Sequence, residues 1–406
     1  MPSKSRKRGN NEGTIYKRPD GKWCAQITIG RSENGKIKRQ SFYGKTRQEV
    51  ADKLSKAQNG LRTGTLVEPN KLNLGKWLDT WLLEYKRNNI KPSTFERYES
   101  IIRNNLKPNL GSIPLKDLQP EHIQRTYNIM LKGDNKGSKA LTPATIHRIH
   151  NVLHSALEQA LRNNLITRNV SSVVVLPREI KKEAISLSIE DQKKFLLALD
   201  GERLRCAFVI EMASGVRLGE LLALRWANVS LDKNTISIKE SIRRTKNFDD
   251  SIETNTSLMF STPKTRAGVR VIPLPPSAIE ELREHRTRQN EEKIANKIIY
   301  EDNDLVFCSE LGRAIDPRHF TKIFYRIRKK AGLNHFNFHI LRHTYATRLI
   351  ENKEGMKVVQ ELLGHSDVAL TINTYCHVMP NVKKSAARKI NFLFKNKLKP
   401  KIKNSK

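Results

Sequence analysis

The ten residues FHILRHTYAT (338–347) bring His339, Arg342 and His343 together in one short segment. On a helix, residues four apart share a face, so the two histidines have the spacing of a metal-ligand pair. A zinc-protease helix also needs a glutamate directly after its first histidine, and here that position is Ile340. Arg342 would moreover set an uncompensated cation beside the ion. The segment reads as one built for an anion, with no metal.

Three further stretches bear on that anion. In ASGVRLGELLALRW (213–226), Arg217 stands at the lead-in of an expected amphipathic helix running through Leu218, Leu221, Leu222 and Leu224. Unsatisfied backbone N–H groups and the helix dipole favour negative charge there. Glu220 can pair with an arginine. STPKTRAGVRVIPLP (261–275) reads as a β-hairpin with Lys264 at or near its tip. ELLGHSDVALTINTYCHV (361–378) carries His365, Tyr375 and His377. Two arginines, a lysine and several histidines suit a phosphate, because guanidinium forks match its oxygens and stabilise added charge without a metal. A reaction on a phosphodiester then needs a nucleophile. No serine elbow or reactive thiol stands out, so tyrosine is the candidate, with Tyr345 as a rival to Tyr375 by residue type.

Read in order, G-V-R-L-G-E (215–220), T-P-K-T (262–265) before R-V-I-P-L, H-x-L-R-H-T (339–344), L-G-H-S (363–366) and T-Y (374–375) closely resemble the tyrosine recombinase family. These are the integrases of phages and other mobile elements. The resemblance implies that Arg217 and Arg342 clamp the scissile phosphate. It implies that Tyr375 forms a 3′-phosphotyrosine link and that Lys264 protonates the leaving 5′ oxygen. By the same resemblance His339 is the acid/base partner of the tyrosine, His365 donates to a phosphate oxygen and Glu220 supports the network. His343 is given no role. No ATP, metal or other cofactor is implied, since the covalent link conserves the phosphodiester energy. The implied partners are double-stranded DNA at core-type and arm-type sites, a homotetramer assembled on it, an excision factor and a host DNA-bending protein. Competing readings are a Xer-like resolvase or relaxing topoisomerase with the same cage, and a non-catalytic DNA-binding regulator.

Bulk properties point the same way. Lys+Arg number 75 against 41 Asp+Glu, a net charge of +34, which favours a polyanionic partner. The four cysteines form no CxxC pair, and no apolar run approaches a membrane span, so a reducing cytoplasm is expected and a membrane is not.

The expected fold class is multidomain and mainly α, the tyrosine recombinase fold. Residues 1–60 read as a three-stranded β-sheet plus helix that binds arm-type DNA. Alternating runs are split by turns at Pro19-Asp20-Gly21 and Glu33-Asn34-Gly35, and Thr46 and Glu49 box the helix start. Lys17, Arg18, Lys22, Lys36, Lys38 and Arg39 are its candidate DNA contacts. Residues 72–176 read as a helical-bundle, SAM-like core-binding domain whose tryptophans serve the core rather than stack on bases. Residues 186–396 read as the mostly helical catalytic domain with a small β-sheet formed from NTISIKESI (234–242) and GVRVIPL (268–274). A basic tail, 397–406, follows. Val382, Ala386, Ile390, Leu393 and Phe394 have helical spacing, and in the family such a helix docks on a neighbouring subunit.

Overall fold

A computed structural model describes residues 12–31, 35–62, 72–133, 139–179, 185–247, 255–263, 266–333, 335–375, 388–391 and 394. It divides into two compact units, residues 1–180 and 181–406.

The first unit begins with an antiparallel meander of β1 (Thr14–Lys17), β2 (Trp23–Arg31) and β3 (Ile37–Gly44), in that order across the sheet. The first turn closes where Gly21, at φ +79°, donates to the Arg18 carbonyl. The second expected turn falls mostly on residues 32–34, outside the described residues. Alternate residues Ala25 and Ile27 point to one face and are covered by Val50, Leu54 and Ala57 of α1 (Arg47–Arg62). The Thr46 hydroxyl caps α1 by accepting from the Glu49 N–H at 3.2 Å, while the Glu49 carboxylate takes the N–H of Lys45.

The helical part comprises α2 (Leu74–Thr80), α3 (Pro92–Ile101), α4 (Lys107–Leu110), α5 (Pro120–Lys132) and α6 (Pro143–Arg162). The turns after α2 and α3 widen to π geometry over Trp81–Lys86 and Ile102–Leu106. Thr142 caps α6 through the Thr145 N–H, and Pro143 occupies its first turn. Trp77 and Trp81 are buried, and the Trp77 indole donates to the Ala156 carbonyl at 2.9 Å. These tryptophans therefore serve the core.

The second unit opens with α7 (Ile189–Ala198), capped by Ser188 through the Asp191 N–H, then α8 (Arg205–Ser214) and α9 (Leu218–Leu221). Helix α9 is far shorter than the expected 218–224. Leu221, Leu222, Ala223 and Leu224 are all buried in succession, which no single helical face allows. The chain instead turns so that the Leu224 carbonyl accepts from Val306 and the Trp226 N–H donates to Asp304.

The β-structure also departs from expectation. The single strand expected over 234–242 is two strands, β5 (Thr235–Ile238) and β6 (Ser241–Lys246). Strand β5 lies between β4 (Val229–Ser230) and β8 (Arg270–Pro273), whereas β6 pairs with β7 (Thr256–Ser261) in a separate sheet. Between β5 and β6, Glu240 turns out to pair with Arg225 at 2.8 Å. The expected hairpin over 261–275 is thus not one: its two arms, β7 and β8, belong to different sheets. Lys264, between them, lies outside the described residues.

Helices α10 (Pro276–Ala295), α11 (Pro317–Lys330), α12 (Ile340–Glu351), α13 (Met356–Leu363) and α14 (Val368–Tyr375) complete the unit. Its core joins α7, α8 and α11 through the rings of Phe195, Phe208, Phe320 and Phe324, and α10 adds Ala278, Ile279 and Leu282 to the same cluster. His339 caps α12 and is not inside it. Cys376, His377 and most of 381–396 lie outside the described residues. Among the described residues no helix is long and apolar enough to cross a membrane.

Candidate functional site

The C-terminal end of α13 organises the second unit's charged residues. A helix end leaves its last carbonyls without intrahelical donors. Here three successive carbonyls each meet a different arginine. Leu362 accepts from Arg270 Nε at 2.7 Å, Leu363 from Arg342 Nη2 at 2.6 Å and Gly364 from Arg217 Nη2 at 3.3 Å. The negative end of the helix dipole favours those cations. Gly364 is left-handed, at φ +65°, and a Cβ there would come within 2.9 Å of the Ala267 carbonyl and the Arg270 guanidinium.

Arg342 is 1% exposed, and its other nitrogen, Nη1, donates to the Gly215 carbonyl at 2.6 Å. Gly215 ends α8 in the left-handed region at φ +60°, where a side chain would drive into the Tyr345 ring, 2.4 Å from the nearest ring carbon. The G-V-R segment therefore serves twice: its glycine receives one arginine, and two residues later it supplies another. Burial, followed by the Arg217 charge, lowers Arg342 to about 10, so it remains a cation at neutral pH.

Glu220 binds the arginines to one another. Its Oε1 accepts from Arg217 Nη1 at 2.7 Å; its Oε2 accepts from Arg270 Nη2 at 2.8 Å and from the Arg217 N–H at 3.1 Å. Burial alone would raise this carboxyl, but Arg270 and then Arg217 hold it below its ordinary value. Nearby Glu211 is fully buried, and desolvation raises it well above the usual carboxylate range despite the charge of Arg342.

His339, His365 and Tyr375 face the same cluster. Desolvation, then His343, Arg342 and Arg217, lowers His339 to about 4. Desolvation, then Arg342, Arg217 and Arg270, does the same to His365. Both imidazoles are neutral at pH 7. His365 Nδ1 is held by the Thr371 hydroxyl at 2.8 Å, across the α13–α14 turn. The Tyr375 ring packs on Ala346, Ile350, Val359 and Leu363 and is 1% exposed. Burial pushes its hydroxyl up to about 12, against the Arg342 charge. That hydroxyl is 2.8 Å from His343 Nδ1.

Of the residues expected at the site, Arg217, Glu220, His339, Arg342, His365 and Tyr375 share one cluster in the second unit. Lys264 falls outside the described residues. The expected pairing of His339 with the tyrosine is not what the geometry gives: its ring stands edge-on to His343, 4.6 Å between centroids, and His343 holds the hydroxyl. Arg270 and Thr371 were not foreseen, and His343 was singled out without a role. Arg270 shares the inward phase of β8 with buried Ile272, an unusual place for an arginine and the one sequence signal that marks it. Lys17, Arg18, Lys22, Lys36, Lys38 and Arg39 are all exposed in the first unit, with Arg18 5.2 Å over the Tyr43 ring.

The cluster can bind and polarise a tetrahedral anion and offers a tyrosine beside it. Comparison with known proteins shows the family. Residues 178–381 match the phage integrase family, and residues 73–131 match the SAM-like N-terminal domain of phage integrases. A protein named tyrosine recombinase XerC-like, from Caldanaerobacter subterraneus subsp. tengcongensis, is 36% identical over 91% of this chain and 95% of its own. An integrase from Saccharopolyspora erythraea is 26% identical over 97% of this chain and 99% of its own. In fold, the Tn1549 transposon integrase, solved with a circular intermediate DNA, superposes with a TM-score of 0.64 at 20% identity, covering 79% of this chain and 99% of that one. A lambda integrase dimer bound to a core site gives 0.55 at 20% identity, over 92% and 96%. The chain belongs to the phage integrase family, the tyrosine-type site-specific recombinases.

Proposed function

We propose that this recombinase integrates and excises a mobile element, cutting and rejoining DNA through a covalent 3′-phosphotyrosine. The observation that carries the reading is the convergence of Arg217 and Arg342 on adjacent carbonyls at the end of α13, with Tyr375 on the helix that follows. The two guanidiniums clamp the scissile phosphate and stabilise the charge added in its transition state. His339 and His365 donate to its oxygens, and Glu220 fixes Arg217. Lys264 is the proposed general acid for the 5′ leaving oxygen. The exposed basic residues of the N-terminal sheet contact arm-type DNA, and the helical bundle contacts core-type DNA. Lambda integrase, solved as a tetramer on a Holliday junction, supports a DNA-assembled homotetramer. The name of the Caldanaerobacter relative favours a second reading, a Xer-like resolvase. Retained recombination after deletion of residues 1–60 would favour that reading.

The test is to trap the adduct on nicked duplexes bearing the junction sequences that flank the gene. The expected product carries DNA through its 3′ phosphate on the α14 peptide, with a free 5′-hydroxyl that polynucleotide kinase can label. Attachment at Tyr345, or through a 5′ phosphate, overturns the assignment.

The lowered histidines give the reading a pH signature. A phosphodiester among these cations raises His339 and His365 from about 4 towards the ordinary 6.5. Between those values the complex holds more protons than the free protein, so binding strengthens as pH falls. Calorimetry at pH 5.5 in buffers of different ionisation heat should show net proton uptake. The uptake should shrink in the double variant His339→Gln/His365→Gln; a buffer-independent heat refutes it.

A further inference from the structure

We infer that His343 is the general base that takes the hydroxyl proton of Tyr375 as the tyrosine attacks the phosphate. The inference rests on the reading of Tyr375 as nucleophile. His339, His343, Ala346 and Ile350 fall at i, i+4, i+7 and i+11, one stripe of α12. The Tyr375 ring is buried in one cluster with Ala346 and Ile350 of that stripe and with Val359 and Leu363 of α13. A ring held so has one place for its oxygen. It meets His343 Nδ1 at 2.8 Å, with ring centroids 5.6 Å apart in an edge-on arrangement. Among the described residues this is the hydroxyl's hydrogen bond. When the phenol donates, Nδ1 is unprotonated, as a base must be.

The need for a base follows from burial. A phenol pushed up to about 12 supplies almost no phenolate at neutral pH, so attack requires a proton acceptor already in contact. His339 stands edge-on to His343, with 4.6 Å between ring centroids. In the forward step the Tyr375 O–H bond breaks and its proton goes to Nδ1. The phenolic oxygen bonds to phosphorus, and the P–O5′ electron pair leaves with the 5′ oxygen, which takes a proton from the acid side of the site. In rejoining, the 5′-hydroxyl attacks and gives its proton back to the acid side of the site, the bond from phosphorus to the tyrosine oxygen breaks, and the His343 imidazolium returns its proton to the departing phenolate.

The test is single-turnover cleavage of a nicked duplex by the full chain, with a normal 5′ oxygen or a 5′-bridging sulfur as leaving group. Sulfur leaves without a proton, so it relieves a defect on the acid side and not one on the nucleophile side. His343→Gln is expected to slow cleavage about 10²–10⁴-fold on both substrates while DNA binding is kept. A wild-type rate overturns the proposal, and so does a rate restored by sulfur. Should the variant lose DNA binding, the unaltered protein decides on the sulfur substrate. A rate falling tenfold per pH unit below an inflection in the imidazole range supports the base, and a pH-independent rate overturns it. The underlying reading fails separately: in that case Tyr375→Phe still forms the adduct.

Discussion

Tyr375→Phe should leave DNA bound and uncut. The substitution removes one oxygen from a side chain that is otherwise wholly engaged in packing on Ala346, Ile350, Val359 and Leu363. The lost hydrogen bond to His343 is worth about 0.5–1.5 kcal/mol net, too little to unfold the domain. Neither arginine bonds that oxygen, so their hold on the end of α13 is untouched. Cleavage should fall by about 10⁶-fold, the scale on which enzymes lose activity with their covalent nucleophile. Tyr345→Phe is the matched control. Tyr345 lies against Gly215 at the end of α8, and losing its hydroxyl should change the cleavage rate by no more than a few-fold. Denaturing gels of nicked-substrate reactions read both variants, and a mobility shift reads binding. An adduct persisting in the Tyr375 variant would move the nucleophile elsewhere.

What the sequence made legible was mostly local chemistry. Thr142 and Ser188 announce their helices because a cap satisfies N–H groups two or three residues away. The spaced motifs from Gly215 to Tyr375 were readable because phosphate chemistry admits few residue types. Strand partners were not readable in this way. Nothing within STPKTRAGVRVIPLP says that its two arms join different sheets, since β6 and β5 make that choice from elsewhere in the chain. The length of α9 was hidden for the same reason, since the chain beyond it is drawn off at Leu224 and Trp226 by backbone hydrogen bonds to Val306 and Asp304. Arg270 and His343 show the limit at the site itself. Neither role is written in the sequence, where Arg270 has only its strand phase and His343 only its spacing from His339, and each acquires its place from a partner on another element: Glu220 for one and Tyr375 for the other.

Arg342→Ala and Arg217→Ala should both abolish cleavage, yet only the first should weaken the fold. Removing either guanidinium deletes charge-assisted donors to the phosphate, and a loss of about 10²–10³-fold per donor is expected. The two side chains differ in what else they hold. Arg342 is fully buried and supplies the donors for the Gly215 and Leu363 carbonyls, one at the end of α8 and one at the end of α13. Leaving two buried acceptors unmet costs about 1–3 kcal/mol each. Arg217 is different: it too leaves two acceptors, the Gly364 carbonyl and Glu220 Oε1, but its side chain is 43% exposed, so water can replace its donors, and Glu220 keeps Arg270 on its other oxygen. Denaturant melts should therefore show the Arg342 variant destabilised by about 2–4 kcal/mol and the Arg217 variant nearly unchanged. Arg342→Lys sharpens the argument, since an ammonium keeps the charge but cannot span two carbonyls as the planar fork does. It should recover part of the DNA affinity and little of the stability. Equal stability of the Arg342 and Arg217 alanine variants would mean that the fork to Gly215 and Leu363 does not hold α8 against α13.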